Sequence, residues 1–344
     1  RPPRSTPSNS SAASDVYKRQ EMSIRKSMAT NTGQCIPLNI IVQDFVDYIK
    51  TRNLNPEQVA LWLVDSHLSC NFPMFPYYAK TLLEKYGRGM EKAEVYAGDF
   101  THVEISVNTT YYAYFAYMFG GYLRRLGNYF RPREMTKGET NRKIAKSVDI
   151  LEQAFLGELS FDQALKSVSD WFGEIRTENR NIPKVAIFGD FFVRDNDVMN
   201  QNLVKIIEEA GGEVINTPYN EYARLTADNA LRRMAARGEN LEAIGFRALL
   251  KGIKFLEKRY YNYFEQFLGR ETPIRPLALE KHLGKYKIHS YHSGESYDNI
   301  LKIYYLLEKY PDISLFVQAN PAFCCPSLIT EAMKHTIEKE TGVP

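Results

Sequence analysis

With 344 residues, 44% of them apolar and 25% charged, the chain is long enough for two domains with real cores and is ordinary in composition for a globular protein. Its net charge of +3 belongs to the N-terminal segment: taking Arg1, Arg4, Lys18, Arg19 and Asp15 away from the 44 basic and 41 acidic residues leaves 40 of each, so the electrostatic case for nucleic-acid binding disappears. Four cysteines without close pairs at disulfide-framework spacing point to a reducing compartment, and the most apolar stretch, Thr109 to Leu123, is interrupted by Gly120-Gly121 and shorter than the roughly 20 residues that a membrane span needs.

Residues 1–20 are rich in serine and proline, lack an apolar centre and make a poor secretory signal. They are expected to be a disordered or artefactual leader, since Ser14 to Gln20 resembles translated sequencing-adapter read-through. The last residues, Gly342-Val343-Pro344, fall where a helix would hand over to another strand, so a fragment cut at both ends is expected. Leu38, Ile41, Val42, Phe45 and Ile49 share one helix face, which predicts a helix over 38–50. A strand over 59–64, a helix over 76–86 and a strand from Ala93 to Ala97 follow, the alternation of a parallel sheet with covering helices. Three helices come next, Thr109 to Leu126, Asn141 to Leu156 and Ser160 to Phe172, the last opening with the capping box Ser160-Phe161-Asp162-Gln163.

The polar, proline-ended segment Thr177 to Pro183 is read as the boundary between a first α/β domain over 30–176, ending in those helices, and a second over 183–344. The second domain starts as strand Lys184 to Phe188, loop Gly189 to Asp197, helix Val198 to Ala210 and strand Glu213 to Thr217. A helical insert over about 222–282 interrupts it. The pattern resumes with a strand from Ile288 to Tyr291, a helix carrying Ile300, Ile303, Tyr304 and Leu307 on one face, a strand from Ile313 to Val317 and a helix from Ser327.

All four cysteines lie within three residues of a following proline and beside a predicted helix start, as Cys35-Ile36-Pro37, Cys70-Asn71-Phe72-Pro73 and Cys324-Cys325-Pro326. Pro326 suits the first helical position, which puts Cys325 near the N-cap, where the positive end of the helix dipole favours a thiolate. Two readings stay open on the residues alone: a metal or cluster site, and buried cysteines that act as small hydrophobes.

Ligands of open α/β sheets collect beyond the carboxyl ends of the strands. Three loops there carry polar residues. Gly189 to Asp197 lacks the glycine spacing of a phosphate loop or a Rossmann fingerprint and reads as a cap with an internal Arg/Asp pair in preference to a ligand contact. His292 to Ser296 offers imidazole, glycine and carboxylate; it either touches a ligand or caps the next helix, and His292 and Glu295 are the candidate catalytic residues. Asp99, His102 and Glu104 read more simply as a solvated edge. His67, three residues before Cys70, has no close zinc-ligand partner, and no Gly-x-Ser-x-Gly elbow occurs.

Together, Gly33 to Asn39, Ile187-Phe188-Gly189-Asp190 with Val193 to Asp197, and Asn320-Pro321-Ala322-Phe323-Cys324-Cys325-Pro326 resemble the dehydratase-like portion of activase-related proteins of the 2-hydroxyacyl-CoA dehydratase superfamily, over about residues 30–344. The resemblance implies an α/β fold of two Rossmann-like halves with helical insertions, in a cytoplasmic, oxygen-sensitive protein. It implies a [4Fe-4S] cluster held by cysteines from separate strand ends, here Cys35, Cys70, Cys324 and Cys325. It also implies one-electron reduction of an acyl-CoA substrate and an ATP-dependent activator as partner, the chain itself having no phosphate loop. Neither nucleic acid nor membrane is an expected partner, and an oligomer is compatible with the sequence. The competing expectations are an electron-transfer or scaffold subunit that holds the cluster for a partner, and a metal-free ligand-binding α/β module.

Overall fold

The computed structural model describes residues 35–65, 70–99, 106–218, 220, 227, 231, 234–235, 237–270, 280–289, 295–322 and 324–344. It is a mixed α/β chain, largely helical, with two small parallel sheets among the described residues.

The first sheet pairs β1 (Ala60–Asp65) with β2 (Glu94–Asp99), in parallel and in register from Ala60 opposite Glu94 to Asp65 opposite Asp99. Helix α1 (Ile36–Thr51) precedes it and α2 (Phe75–Tyr86) makes the crossover. Leu38, Val42, Phe45, Val46 and Ile49 form the buried stripe of α1, and they meet Leu63 of β1 and Phe75, Ala79 and Leu83 of α2 in one core. The stripe recurs every three or four residues, the spacing that aligns side chains on one helix face.

A helical layer follows: α3 (Val107–Phe130), α4 (Glu139–Phe155) and α5 (Phe161–Gly173). The α5 capping box forms as the sequence predicts, with Ser160 Oγ accepting from Gln163 N–H at 3.2 Å and Gln163 Oε1 accepting from Ser160 N–H at 2.9 Å. Of the tyrosines of α3, Tyr122 is buried and Tyr114 and Tyr129 pack partly against the core, while Tyr111, Tyr112 and Tyr117 are exposed. Tyr122 stands edge-on to Tyr261, and Phe115 and Phe119 lie against Tyr260 in a core dominated by aromatic rings.

The second sheet has the order β4-β3-β5, all parallel: β3 (Lys184–Gly189) is central, with β4 (Glu213–Asn216) on one side and β5 (Ile313–Ala319) on the other. Where the sequence predicts one helix over Val198 to Ala210, the chain forms a short α6 (Phe191–Asp195), turns through 197–202, and then forms α7 (Leu203–Glu209). The break is at Gln201 and Asn202, which take left-handed φ of 57° and 61°, while the Asn200 side chain accepts the Leu203 N–H, which a continuous helix would donate to the Met199 carbonyl.

Helices α8 (Asn240–Tyr261) and α9 (Glu265–Leu268) lie in the predicted insert, and α8 closes the aromatic core of α3. Then come α10 (Glu295–Lys309), α11 (Cys325–Ala332) and α12 (Lys334–Thr341). Of the strand predicted at Ile288 to Tyr291, Ile288 and His289 are not in a strand, and the rest lies outside the described residues.

Polar contacts tie the helical layer to the second sheet. Arg124 reaches Asp195 at 2.7 Å, Arg133 reaches Glu213 at 2.7 Å, and Asn128 donates to Asn216 at 3.3 Å. No helix among the described residues is long and apolar enough to cross a membrane.

Candidate functional site

Two of the cysteines have the same local structure. Cys35 is the N-cap of α1 with φ −60° and ψ 120°, and Cys324 is the N-cap of α11 with φ −61° and ψ 118°. In both, one residue intervenes before a proline in the first helical turn, and the cap thiol accepts no hydrogen bond from its helix. Proline fits there because the first-turn N–H groups have no intrahelical acceptor to lose. The N-cap is therefore Cys324 and not Cys325, which correction follows from the extended ψ lying at 324 while 325 is already helical. Cys325 is exposed, whereas Cys35, Cys70 and Cys324 are half-buried.

Cys70 opens a tighter turn. Its Sγ accepts the Phe72 N–H at 3.3 Å ahead of a 3-10 turn over Phe72–Met74 that runs directly into α2. It follows the carboxyl end of β1, as Cys324 follows that of β5.

The β3 and β5 carboxyl ends form the switch point of the second sheet, because β4 and β5 leave β3 on opposite sides. Two bonds stitch the loops there: the Asp190 N–H donates to Ala319 O at 3.0 Å and to Asn320 Oδ1 at 2.8 Å. Asp190 also caps α6, its Oδ1 accepting from Phe192 N–H at 3.0 Å and Val193 N–H at 2.8 Å. Arg194 is buried, donating to Thr217 Oγ1 at 2.5 Å and Thr217 O at 2.8 Å, with Asp195 beside it at 3.5 Å. The loop is thus the cap and Arg/Asp pair that its sequence suggests.

The loops approach so closely only because residue 189 is glycine. Its φ is +111°, and a Cβ there would fall 2.5 Å from Ala319 O and 2.8 Å from Asn320 Oδ1. Gly189→Ala is expected to cost about 2–4 kcal/mol in urea denaturation, through backbone strain and separation of the two loops. A loss under about 0.5 kcal/mol would mean that the two loops part easily.

A second polar group, which the sequence reading missed, sits in the first turns of α10. Asp298, Asn299 and Lys302 are fully or almost fully buried, and among the described residues neither Asp298 carboxylate oxygen nor either Asn299 amide atom has a hydrogen-bond partner. Burial pushes the Asp298 carboxyl up to about 7, against the pull of the Lys302 charge. Burial also raises the Asp190 carboxyl, opposed by the Val193 and Phe192 N–H bonds and by Arg194 and Lys302, so Lys302 lies within electrostatic reach of both carboxyls. In sequence, Asp298-Asn299 looks like ordinary first-turn polarity. Only their positions beside the Tyr297, Ile300 and Leu301 core residues could have marked them as buried.

Of the other candidates, His67, His102, Glu104 and His292 lie outside the described residues, Asp99 ends β2 and Glu295 begins α10. Among the described residues no three His, Cys, Asp or Glu side chains gather where a metal ion could be held. The thiols match iron–sulfur ligation in donor type, but the described residues do not bring them into one ligand set. No family model, curated protein or solved structure matches the chain.

Proposed function

We propose that the chain is an iron–sulfur protein of the 2-hydroxyacyl-CoA dehydratase type, in which Cys35, Cys70 and Cys324, with Cys325 next in line, hold a [4Fe-4S] cluster. The observation that carries this reading is the matched pair of Cys-x-Pro N-caps on α1 and α11, whose backbone angles agree within 2°. Two turns far apart in sequence thus present a thiol in the same way, at the head of a helix and one residue ahead of a first-turn proline. N-terminal N–H groups at each cap would favour the thiolate that a soft metal centre requires.

When bound, the cluster supplies one-electron transfer. The residues of the chain would hold it between two Rossmann-like halves, with an ATP-dependent activator as electron source, an acyl-CoA as substrate and the cytoplasm as compartment. His292 and Glu295 are the proposed acid–base residues.

The test is anaerobic purification with iron and sulfide analysis. About four irons per chain are expected. Protein that stays colourless after anaerobic reconstitution overturns the reading. That result would favour a metal-free α/β module with structural cysteines, for which Cys35 already supplies an argument: it packs against the core of α1, β1 and α2 as a small hydrophobe.

A further inference from the structure

One side of α8 is built into the aromatic core through Leu256, Tyr260 and Tyr261, and Ala243 and Glu257 are buried with them. The other side carries a row of cations. Arg247, Lys251, Lys254 and Lys258 stand at i, i+4, i+7 and i+11, a spacing that confines them to an arc of about 60° along roughly 16 Å of helix. All four are exposed, and among the described residues none of their side chains is in an ion pair or a hydrogen bond. The next cation, Arg259, is engaged: it pairs with Asp162 at 2.7 Å.

Like charges three and four residues apart destabilise a helix, and no carboxylate among the described residues pairs with this row to offset that. On the flank next to the row two bulky apolar side chains face solvent, Ile244 at 61% and Phe255 at 68% exposure. Gly245, Ala248 and Gly252 lie on the same flank and leave the backbone bare, since a Cβ at either glycine would meet no atom within 4 Å. Glycine inside a helix costs stability, and close packing within the protein does not call for it at these two positions.

A single row of cations bordering a shallow apolar seam has a linear complement: a helix with carboxylates at the same spacing and apolar side chains on the adjoining flank. A lipid surface fits less well. A helix that lies on a bilayer turns a broad apolar face to it, whereas the broad apolar side of α8 is used by the protein's own core. A nucleic-acid backbone would engage the cations alone and leave Ile244 and the bare glycine flank without a role.

We propose that this face of α8 docks an acidic amphipathic helix of a partner protein, with Arg247, Lys251, Lys254 and Lys258 meeting its carboxylates and Ile244 and Phe255 anchoring its apolar flank.

Fluorescence anisotropy of a labelled synthetic helical peptide, with glutamates at i, i+4, i+7 and i+11 and leucines on the adjoining flank, tests it by titration with the full chain. The other arms are a peptide of the same composition with its glutamates scattered round the helix, vesicles of phosphatidylserine and phosphatidylcholine, and a single-stranded oligonucleotide. Saturable binding of the patterned peptide is expected, at least about tenfold tighter than of the scattered one. It should weaken as ionic strength rises from about 0.1 M to 1 M and the Debye length falls from about 10 Å to 3 Å. Lys251→Glu combined with Lys254→Glu should abolish it, and a peptide with lysines in place of the glutamates should bind that variant. Both positions are exposed, so the urea midpoint should stay near that of wild type. If the double reversal does not fold, Lys251→Gln with Lys254→Gln, expected to weaken binding about tenfold, carries the test. No saturable binding, equal affinity for the two peptides, tighter binding of vesicles or oligonucleotide than of the patterned peptide, or unchanged affinity in the double variants overturns the proposal. Helix α8 carries no cysteine, so failure here leaves the cluster reading untouched.

Discussion

Asp298→Asn should stabilise the protein at alkaline pH by on the order of 4 kcal/mol, a rare direction for a change at a fully buried site. The folded-state carboxyl is raised to about 7 from an ordinary value of 3.8. Below pH 3.8 both folded and unfolded states carry the proton, and burial of this group costs nothing in ionisation. Between 3.8 and 7 the unfolded chain loses its proton while the folded chain keeps it, so wild-type stability falls with rising pH. Above that window the folded chain must hold an ionised carboxylate whose oxygens accept no hydrogen bond, and the whole penalty is present.

Asparagine has nearly the same shape and cannot ionise, so the variant should lack this slope. Urea denaturation at pH 5, 6, 7 and 8 of both proteins measures it, with the gap between the curves widening through the window and levelling off above about pH 7. A variant less stable than wild type at pH 8 would mean that Lys302 offsets the buried charge in full, and would end this account of Asp298.

The fold was legible where a local pattern and the final packing agree. The stripe of α1, the capping box at Ser160 and the strand-helix-strand order of β1-α2-β2 all follow from spacing that the sequence states directly. Legibility failed where side chains compete with the backbone. Val198 to Ala210 has the apolar period of one helix, yet Asn200 captures the Leu203 N–H and two left-handed residues interrupt it.

The cap at 324 was displaced by one residue for a related reason. Proline is accepted anywhere in the first turn, so its position alone does not fix the N-cap. The polar group on α10 was invisible because burial of Asp298 depends on the elements packed against the helix, which are α11, β3, β5 and the 3-10 turn over Glu280–Tyr286, and none of that is written in the local sequence.

Serine in place of Cys35, Cys70 or Cys324 should abolish iron binding, while Cys325→Ser should keep it. The two adjacent cysteines occupy different backbone states: Cys324 is extended and half-buried at the N-cap, and Cys325 is helical and exposed at the next position. Their side chains therefore leave the chain in different directions, which makes it awkward for both to reach one small cluster. Cys324 repeats the conformation of Cys35, whereas Cys325 stands where Ile36 stands in α1, a position whose side chain has no ligating atom. Three protein thiolates would leave one iron for an external oxygen ligand, the arrangement that the proposed reduction of an oxygen-bearing substrate calls for. Iron analysis of the four anaerobic serine variants should give about four per chain for Cys325→Ser and under about one for the others. Paramagnetic spectra of the reduced wild type should shift when a small oxygen ligand is added. Loss of iron in Cys325→Ser together with an unresponsive wild-type spectrum would make all four cysteines ligands and exclude the open iron, while full iron in Cys324→Ser would remove the matched N-caps as the basis of the site.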